Sequence, residues 1–330
     1  NDGGNVIGAA DYLARWDGTH WSAVGSNGAG NGALNSIVYA IWVNGADVYA
    51  GGSFTDVNNN GAVLGAADYV AHWDGSNWSA IGTNGAGNGS IPATGAHIVM
   101  AIAQASGQLF VGGGFFDLSD GGATLLQADF LAAWNGSHWS ALGDEPNGAL
   151  VNGYASSAVY AVLVNGTDVY VGGYFENVSN HGVNLPAADY VAKWDGTNWS
   201  ALGSDGAGEG SLRGRVTSLA WISPYLYVSG NFVNVNDAGV VLGAADHIAR
   251  WNGTTWSGFG SGMGSGFSYL NALLVLSNGN LIAAGNFQTA GGVPAIGIAR
   301  WNGSAWSPLG GGVPNIVNTI LELGNGDIVV

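Results

Sequence analysis

Cysteine is absent from all 330 residues, which excludes disulfides, thiolate metal ligands and a cysteine nucleophile. Positive charge is nearly absent too: six Lys and Arg stand against 22 Asp and Glu, for a net charge of −16. Six scattered cations cannot build the basic patch that neutralises phosphates, so nucleic acid is excluded as a partner and anionic membrane surfaces are disfavoured. No window holds the ~18 consecutive apolar residues of a helical membrane span. No leader pattern stands at the N-terminus, so Asn1 reads as the start of a mature or trimmed chain. Charged residues make up only 8% of the chain and glycines number 59, which leaves little for long amphipathic helices and much for turns.

What is abundant is tryptophan in one setting. The stretch Trp194-Asp195-Gly196-Thr197-Asn198-Trp199-Ser200-Ala201-Leu202-Gly203 recurs six times, beginning at Trp16, Trp73, Trp134, Trp194, Trp251 and Trp301. The second Trp always follows five residues later, at Trp21, Trp78, Trp139, Trp199, Trp256 and Trp306. Asp-Gly or Asn-Gly after the first Trp favours a two-residue hairpin turn. With Asp17-Gly18 as the turn, Trp16 faces Thr19 and Ala14 faces Trp21, so both indoles share a face opposite smaller residues. Twelve of the 14 Trp sit in these hairpins, which makes Trp a scaffold residue first. The first indole, as at Trp194, is expected to fill the gap between adjacent blades.

A second hairpin lies between successive Trp hairpins. Its first copy runs Val38 to Val43, turns at Asn44-Gly45, and returns through Val48 to Phe54. β-branched and aromatic residues between Gly-centred turns at this spacing are strands. Each repeat thus supplies four antiparallel strands: A (Val38 to Val43), B (Val48 to Phe54), C (Ala67 to Trp73) and D (Trp78 to Ile81). Four-stranded units repeating at 50 to 61 residues predict an all-β chain, a single six-bladed β-propeller domain over residues 1–330. The chain opens on C and D (Ala10 to Val24) and finishes on A and B (Val317 to Val330), so pairing of these end strands is expected to close one composite blade.

Val171-Gly172-Gly173 closing strand B, followed by a Trp pair around a tight turn, resembles kelch-type propeller repeats. Asn286-Phe287, Ala290-Gly291-Gly292-Val293-Pro294 and Ile298-Ala299-Arg300-Trp301-Asn302-Gly303 look like the kelch-related repeats of secreted and cell-surface proteins. The resemblance covers the whole chain and implies a binding or structural scaffold. Copper oxidases of the galactose oxidase type share the blade pattern, but their Tyr–Cys cross-link requires the cysteine this chain lacks. The Gly/Asn/Ser/Thr-rich, Lys-poor composition agrees with an extracellular or cell-surface location.

In such a meander the A–B and C–D turns are short, and the B–C and D–A connections are long, among them Asn58 to Ala67, Asn84 to Ala96, Asp144 to Ala155 and Gly182 to Ala188. Binding is expected on the long-loop face, at Asn58, Asn59, Asn60, Asn180, His181, Asn236 and Asp237. Asp56-Val57-Asn58-Asn59-Asn60-Gly61 matches the opening of a calcium loop but has Ala67 in place of its closing Glu. Asp56, Asn58, Asn60, Asp117 and Asp120 are the candidate calcium ligands, set against the ordinary use of Asn and Asp in Asx-turns. No other cofactor is indicated.

Asp11, Asp68, Asp129, Asp189 and Asp246 stand five residues before each hairpin Trp, and a cation or His precedes that Trp in five repeats (Arg15, His72, Lys193, Arg250, Arg300). Recurrence in every blade points to a structural task, since a catalytic pair appears once. The eight Asn-x-Ser/Thr sites, including Asn135, Asn252 and Asn302, are explained by turn chemistry. The leading expectation is a non-enzymatic structural or interaction propeller that binds protein (self-assembly included) or neutral glycan. The alternative is a polysaccharide hydrolase or lyase using acids outside the repeat pattern, for which Asp144, Glu145 and Glu209 are the candidates.

Overall fold

The computed structural model describes residues 2–92, 97–150, 157–264 and 269–330. The last part of the Asn84 to Ala96 loop and most of Asp144 to Ala155 lie outside them. Every described element is a strand. Backbone proximity divides the chain into two compact units, Asn1–Ala149 and Leu150–Val330.

In the first unit, β1 (Ala14–Trp16) and β2 (Trp21–Ala23) form a hairpin. β3 (Val38–Asn44), β4 (Asp47–Gly52), β7 (Val70–Trp73) and β8 (Trp78–Ala80) form a four-stranded antiparallel sheet in the order 3-4-7-8. Between them β5 (Val57–Asn59) and β6 (Ala62–Leu64) make a small hairpin of their own. The same plan repeats over 99–141. The second unit holds three more four-stranded sheets, over 158–201, 216–257 and 269–308, and a final hairpin, Leu321–Glu322 with Ile328–Val329. These sheets are meanders of the kind that make propeller blades.

The core lies between successive blades rather than inside one. Tyr69, Val70 and Ile81 of one blade pack with Val99, Val111 and Phe115 of the next. Leu202 and Tyr170 pack in the same way with Val216, Val228 and Phe232. The Gly pair that closes strand B permits this approach: a Cβ on Gly51 would fall on Val99 Cγ1, and one on Gly172 on Val216 Cγ1. Phe54, Phe115, Phe175 and Phe232, which follow these glycines, are all less than 2% exposed.

Five expectations need correction. The Trp hairpins do not turn on two residues. Trp16 pairs directly with Trp21, and the loop is Asp17–His20. The cause is the Asp side chain: Asp17 Oδ1 accepts the N–H groups of Thr19 and His20, each at 2.8 Å, so only Gly18 needs a left-handed φ, of 103°. The two indoles therefore lie against each other, with ring centroids 5.3 Å apart. Trp134 pairs with Trp139 and Trp251 with Trp256 in the same register, at 5.3 and 5.4 Å.

Second, the two indoles of a hairpin do not share the scaffold role equally. Trp78, Trp139, Trp199, Trp256 and Trp306 are buried, whereas Trp73, Trp134, Trp194 and Trp251 are only half-buried; of the first indoles Trp301 alone is buried. Direct pairing is the reason: the second indole enters the core, and the first packs over it at the core's margin. In the opening hairpin both Trp16 and Trp21 are exposed, so neither fills a gap between blades there.

The A–B turn is slipped by one residue as well. Asn44 pairs with Asp47, leaving Gly45-Ala46 as the loop. Of these two only Gly45 takes a positive φ, so one glycine suffices. Fourth, the B–C connections are not irregular, because each carries an extra hairpin such as β5–β6. Fifth, among the described residues β1 and β2 pair only with each other, and so do the two strands of the final hairpin, so no composite four-stranded blade is formed. Strand B of a complete blade runs six or seven residues and pairs with C at four positions. The final hairpin has two-residue strands and too few ladder bonds for that.

Candidate functional site

Recurring polar residues of the blades are bound to backbone. Asp68 Oδ1 accepts the Asp56 N–H at 2.8 Å in its own B–C connection, and Oδ2 accepts the Gly89 N–H at 3.1 Å in the following D–A connection. Asp129 and Asp246 hold Asp117 N and Asn234 N by the same geometry. The cations before the Trp also pair within the blade: His72 Nε2 lies 2.8 Å from Asp47 Oδ1, and Lys193 Nζ donates to Asp168 Oδ2 at 3.3 Å.

The loop-face candidates hold the small hairpins in place. Asn59 Oδ1 accepts the Trp78 N–H at 3.2 Å, Asp120 Oδ1 the Trp139 N–H at 3.2 Å, and Asn180 Oδ1 the Trp199 N–H at 2.7 Å. His181 Nε2 lies 3.1 Å from the Thr197 carbonyl. Asn236 Oδ1 is buried, and Asp237 pairs with Val240 at the tip of its hairpin. Asn58 Oδ1 accepts the Gly61 N–H at 2.7 Å, while Asp56, Asn60 and Asp117 take left-handed φ values of 51°, 52° and 49°. The calcium-like spacing is thus carried by a strand and its turn. Among the described residues no three His, Asp or Glu side chains are grouped to hold a metal ion.

One place departs from the repeats. In the second unit a cavity of about 270 Å³ opens between the end of strand B, the start of strand C and the D–A connection. Glu176, Asp189, Tyr190, Glu209, Gly210, Leu212 and Arg213 line it. Its distinctive side chains are absent from sister blades: Thr55, Phe116, Val233 and Gln288 stand where Glu176 does, and Asn31 and Asn88 where Glu209 does. The Tyr190 hydroxyl donates to Glu176 Oε1 at 2.8 Å. Asp189 accepts the Asn177 and Gly210 N–H groups at 2.9 and 3.2 Å, as its sisters do. Burial pushes the Asp189 carboxyl above the usual range, and the negative charges of Glu176 and Glu209 add to this. Tyr190 is pushed up strongly by burial and by its bond to Glu176. Arg213 donates to Asp205 Oδ2 at 2.8 Å, so its charge is partly spent beside the cavity.

The cavity is therefore rich in hydrogen-bond acceptors and lies on the face made by the long connections. It contains none of the Asn, His and Asp expected there. Glu209 was legible as an acid outside the pattern. Glu176 was missed, although comparison of the residues after Phe54, Phe115, Phe175, Phe232 and Phe287 would have singled it out.

No protein-family model matches the chain, and no curated protein does. Solved structures do. The extracellular domain of BT4673 from B. thetaiotaomicron is similar with a TM-score of 0.50 at 12% identity, over 96% of this chain and 34% of that one. The corresponding domain of BT3049 from the same organism gives 0.46 at 10%, over 89% and 32%. The WD40 β-propeller domain of Doa1 gives 0.36 at 14%, over 88% of each chain. The chain spans about a third of the length of the first two. At such identity the likeness concerns the fold alone.

Proposed function

We propose that the chain is a non-enzymatic propeller that binds a neutral glycan or a protein through its long-loop face, at the cavity lined by Glu176, Tyr190 and Glu209. One observation carries this reading. The recurring Asp, Asn and His side chains of the blades bond to the scaffold, whereas the acids that break the repeat converge on one opening. Carboxylate oxygens at its rim accept hydroxyl donors from a sugar or N–H donors from a protein. The proposal takes the repeats as kelch-type and counts six blades, one per Trp hairpin. It places the protein outside the cell or on its surface, in keeping with the Lys-poor composition.

A second reading is favoured by the same pair of acids. Glu176 and Glu209 belong to one blade only, as the catalytic carboxylates of a polysaccharide hydrolase or lyase would. Titration calorimetry and product analysis on neutral oligosaccharides separate the two. Binding that weakens in Glu176→Gln and Glu209→Gln without any turnover supports the binding module. Turnover abolished by Glu209→Gln establishes the enzyme instead. Protein and glycan ligands whose binding ignores both substitutions would overturn the assignment of this cavity.

A further inference from the structure

Four times within the chain an indole is seated on the preceding blade. Trp78 donates its Nε1–H to the Val24 carbonyl, Trp139 to Ile81, Trp256 to Leu202 and Trp306 to Phe259. The acceptor always lies three residues past the second Trp of the previous hairpin, and a glycine follows it. At Gly25 that glycine is required, because a Cβ would come within 2.6 Å of Trp78 Nε1.

Both halves of this junction also occur without a partner. Trp21 and Trp16 are 45% and 37% exposed, against 2–5% for Trp78, Trp139, Trp256 and Trp306. At the other end Leu309 is only half-buried, where Val24, Ile81, Leu202 and Phe259 are buried. No heavy atom lies within 4 Å of where a Cβ on Gly310 would sit. The Leu309 carbonyl accepts the Gly312 N–H at 3.1 Å and keeps a second lone pair. The strand faces show the same mismatch. Tyr39, Ile41 and Val43 on β3 are 48–57% exposed, while Ile102, the equivalent of Ile41, packs into a core. On the final hairpin Leu321, Val329 and Val330 are 48–58% exposed.

We propose that these two surfaces meet between copies, so that the chain associates head to tail. Trp21 of one copy takes the seat formed by Leu309 and Gly310 of the next, and the β3 face is covered by that copy's final hairpin. The junction already built four times inside the chain is continued from chain to chain, and the sixth blade is completed by two molecules. The surfaces differ, so the contact is heterologous and either closes a ring or extends. None of the seven side chains involved is charged, while each copy carries −16. Added salt therefore strengthens the association by screening repulsion. This inference does not rest on the long-loop reading.

Sedimentation of the full chain across a dilution series tests it. The wild type is expected to associate reversibly, more strongly at high salt. Tyr39→Lys at the head and Val329→Lys at the tail each give a monomer. Both positions are exposed, and circular dichroism melts confirm that the variants fold; Val43→Lys and Leu321→Lys serve if either does not. Mixing the head and tail variants restores one 1:1 dimer and nothing larger, since only one intact junction is left. A wild type that is monomeric at every concentration, with or without a glycan or protein bound at Trp21, overturns the proposal. So does association that only one of the two substitutions abolishes.

Discussion

The Trp78 indole N–H donates to the Val24 carbonyl at 3.0 Å, joining residues 54 apart in the chain. With its relatives at Trp139, Trp256 and Trp306, this bond ties each blade to the end of the one before. Trp is therefore the residue that sets the spacing between blades, and it uses both its apolar rings and its single donor.

Trp78→Ala is expected to cost about 3–5 kcal/mol, as for other large buried aromatics. Trp78→Phe keeps much of the packing but leaves the buried Val24 carbonyl unpaired, at a cost of about 1–3 kcal/mol. Within each hairpin the second Trp is the deeper one or its equal: Trp199 is 3% exposed while Trp194 is half-buried. Urea melts should rank Trp199→Ala as more damaging than Trp194→Ala, and Trp139→Ala and Trp256→Ala as more damaging than Trp134→Ala and Trp251→Ala. Equal costs would mean that the indole–carbonyl junction adds nothing.

The Trp hairpins accept Asp and Asn at one position, and the geometry says why. Asp195 Oδ1 accepts the Thr197 and Asn198 N–H groups at 2.9 and 2.7 Å, and Asn302 Oδ1 does the same for Ser304 and Ala305. Asp195→Asn should leave the thermal midpoint nearly unchanged. Asp195→Ala should lower stability by about 1 kcal/mol, the usual loss for a side chain that caps backbone donors.

Asp129 provides a pH signature. Burial raises its carboxyl from 3.8 to about 6. A folded pKa above the unfolded one means that the native state holds the proton more tightly. Its contribution to stability is then fully present below pH 3.8 and is lost as the pH rises through about 6. Between those values Asp129→Asn should melt with a weaker pH dependence than the wild type. An unchanged slope would rule Asp129 out as its source.

Calcium is expected to raise the melting temperature no more than magnesium at equal concentration. Asn58, Asn59 and Asp120 already direct oxygens at backbone N–H groups, and the general attraction of a −16 chain for divalent cations does not distinguish the two ions. A shift specific to calcium would restore Asp56, Asn58, Asn60, Asp117 and Asp120 as ligands, because a larger, flexible oxygen cage discriminates in calcium's favour.

The strands, the four-strand unit and its six Trp hairpins were all legible in the sequence, because they follow from short-range chemistry: β-branched and aromatic runs, Gly at turns, and a strict repeat. Hairpin register was not. Asp17 could centre a two-residue turn or cap a four-residue one, and its captured N–H groups decide for the latter. Nor could sequence tell Trp194 from Trp199, since depth depends on the neighbouring blade. Glu176 and Glu209 show the limit most clearly. Each is one ordinary acid in its own connection, and only the packing of a B–C segment against a D–A segment puts them at one opening. Local propensity and periodicity determine the blade; contacts between residues distant in the chain decide which side chains meet, and with them the site.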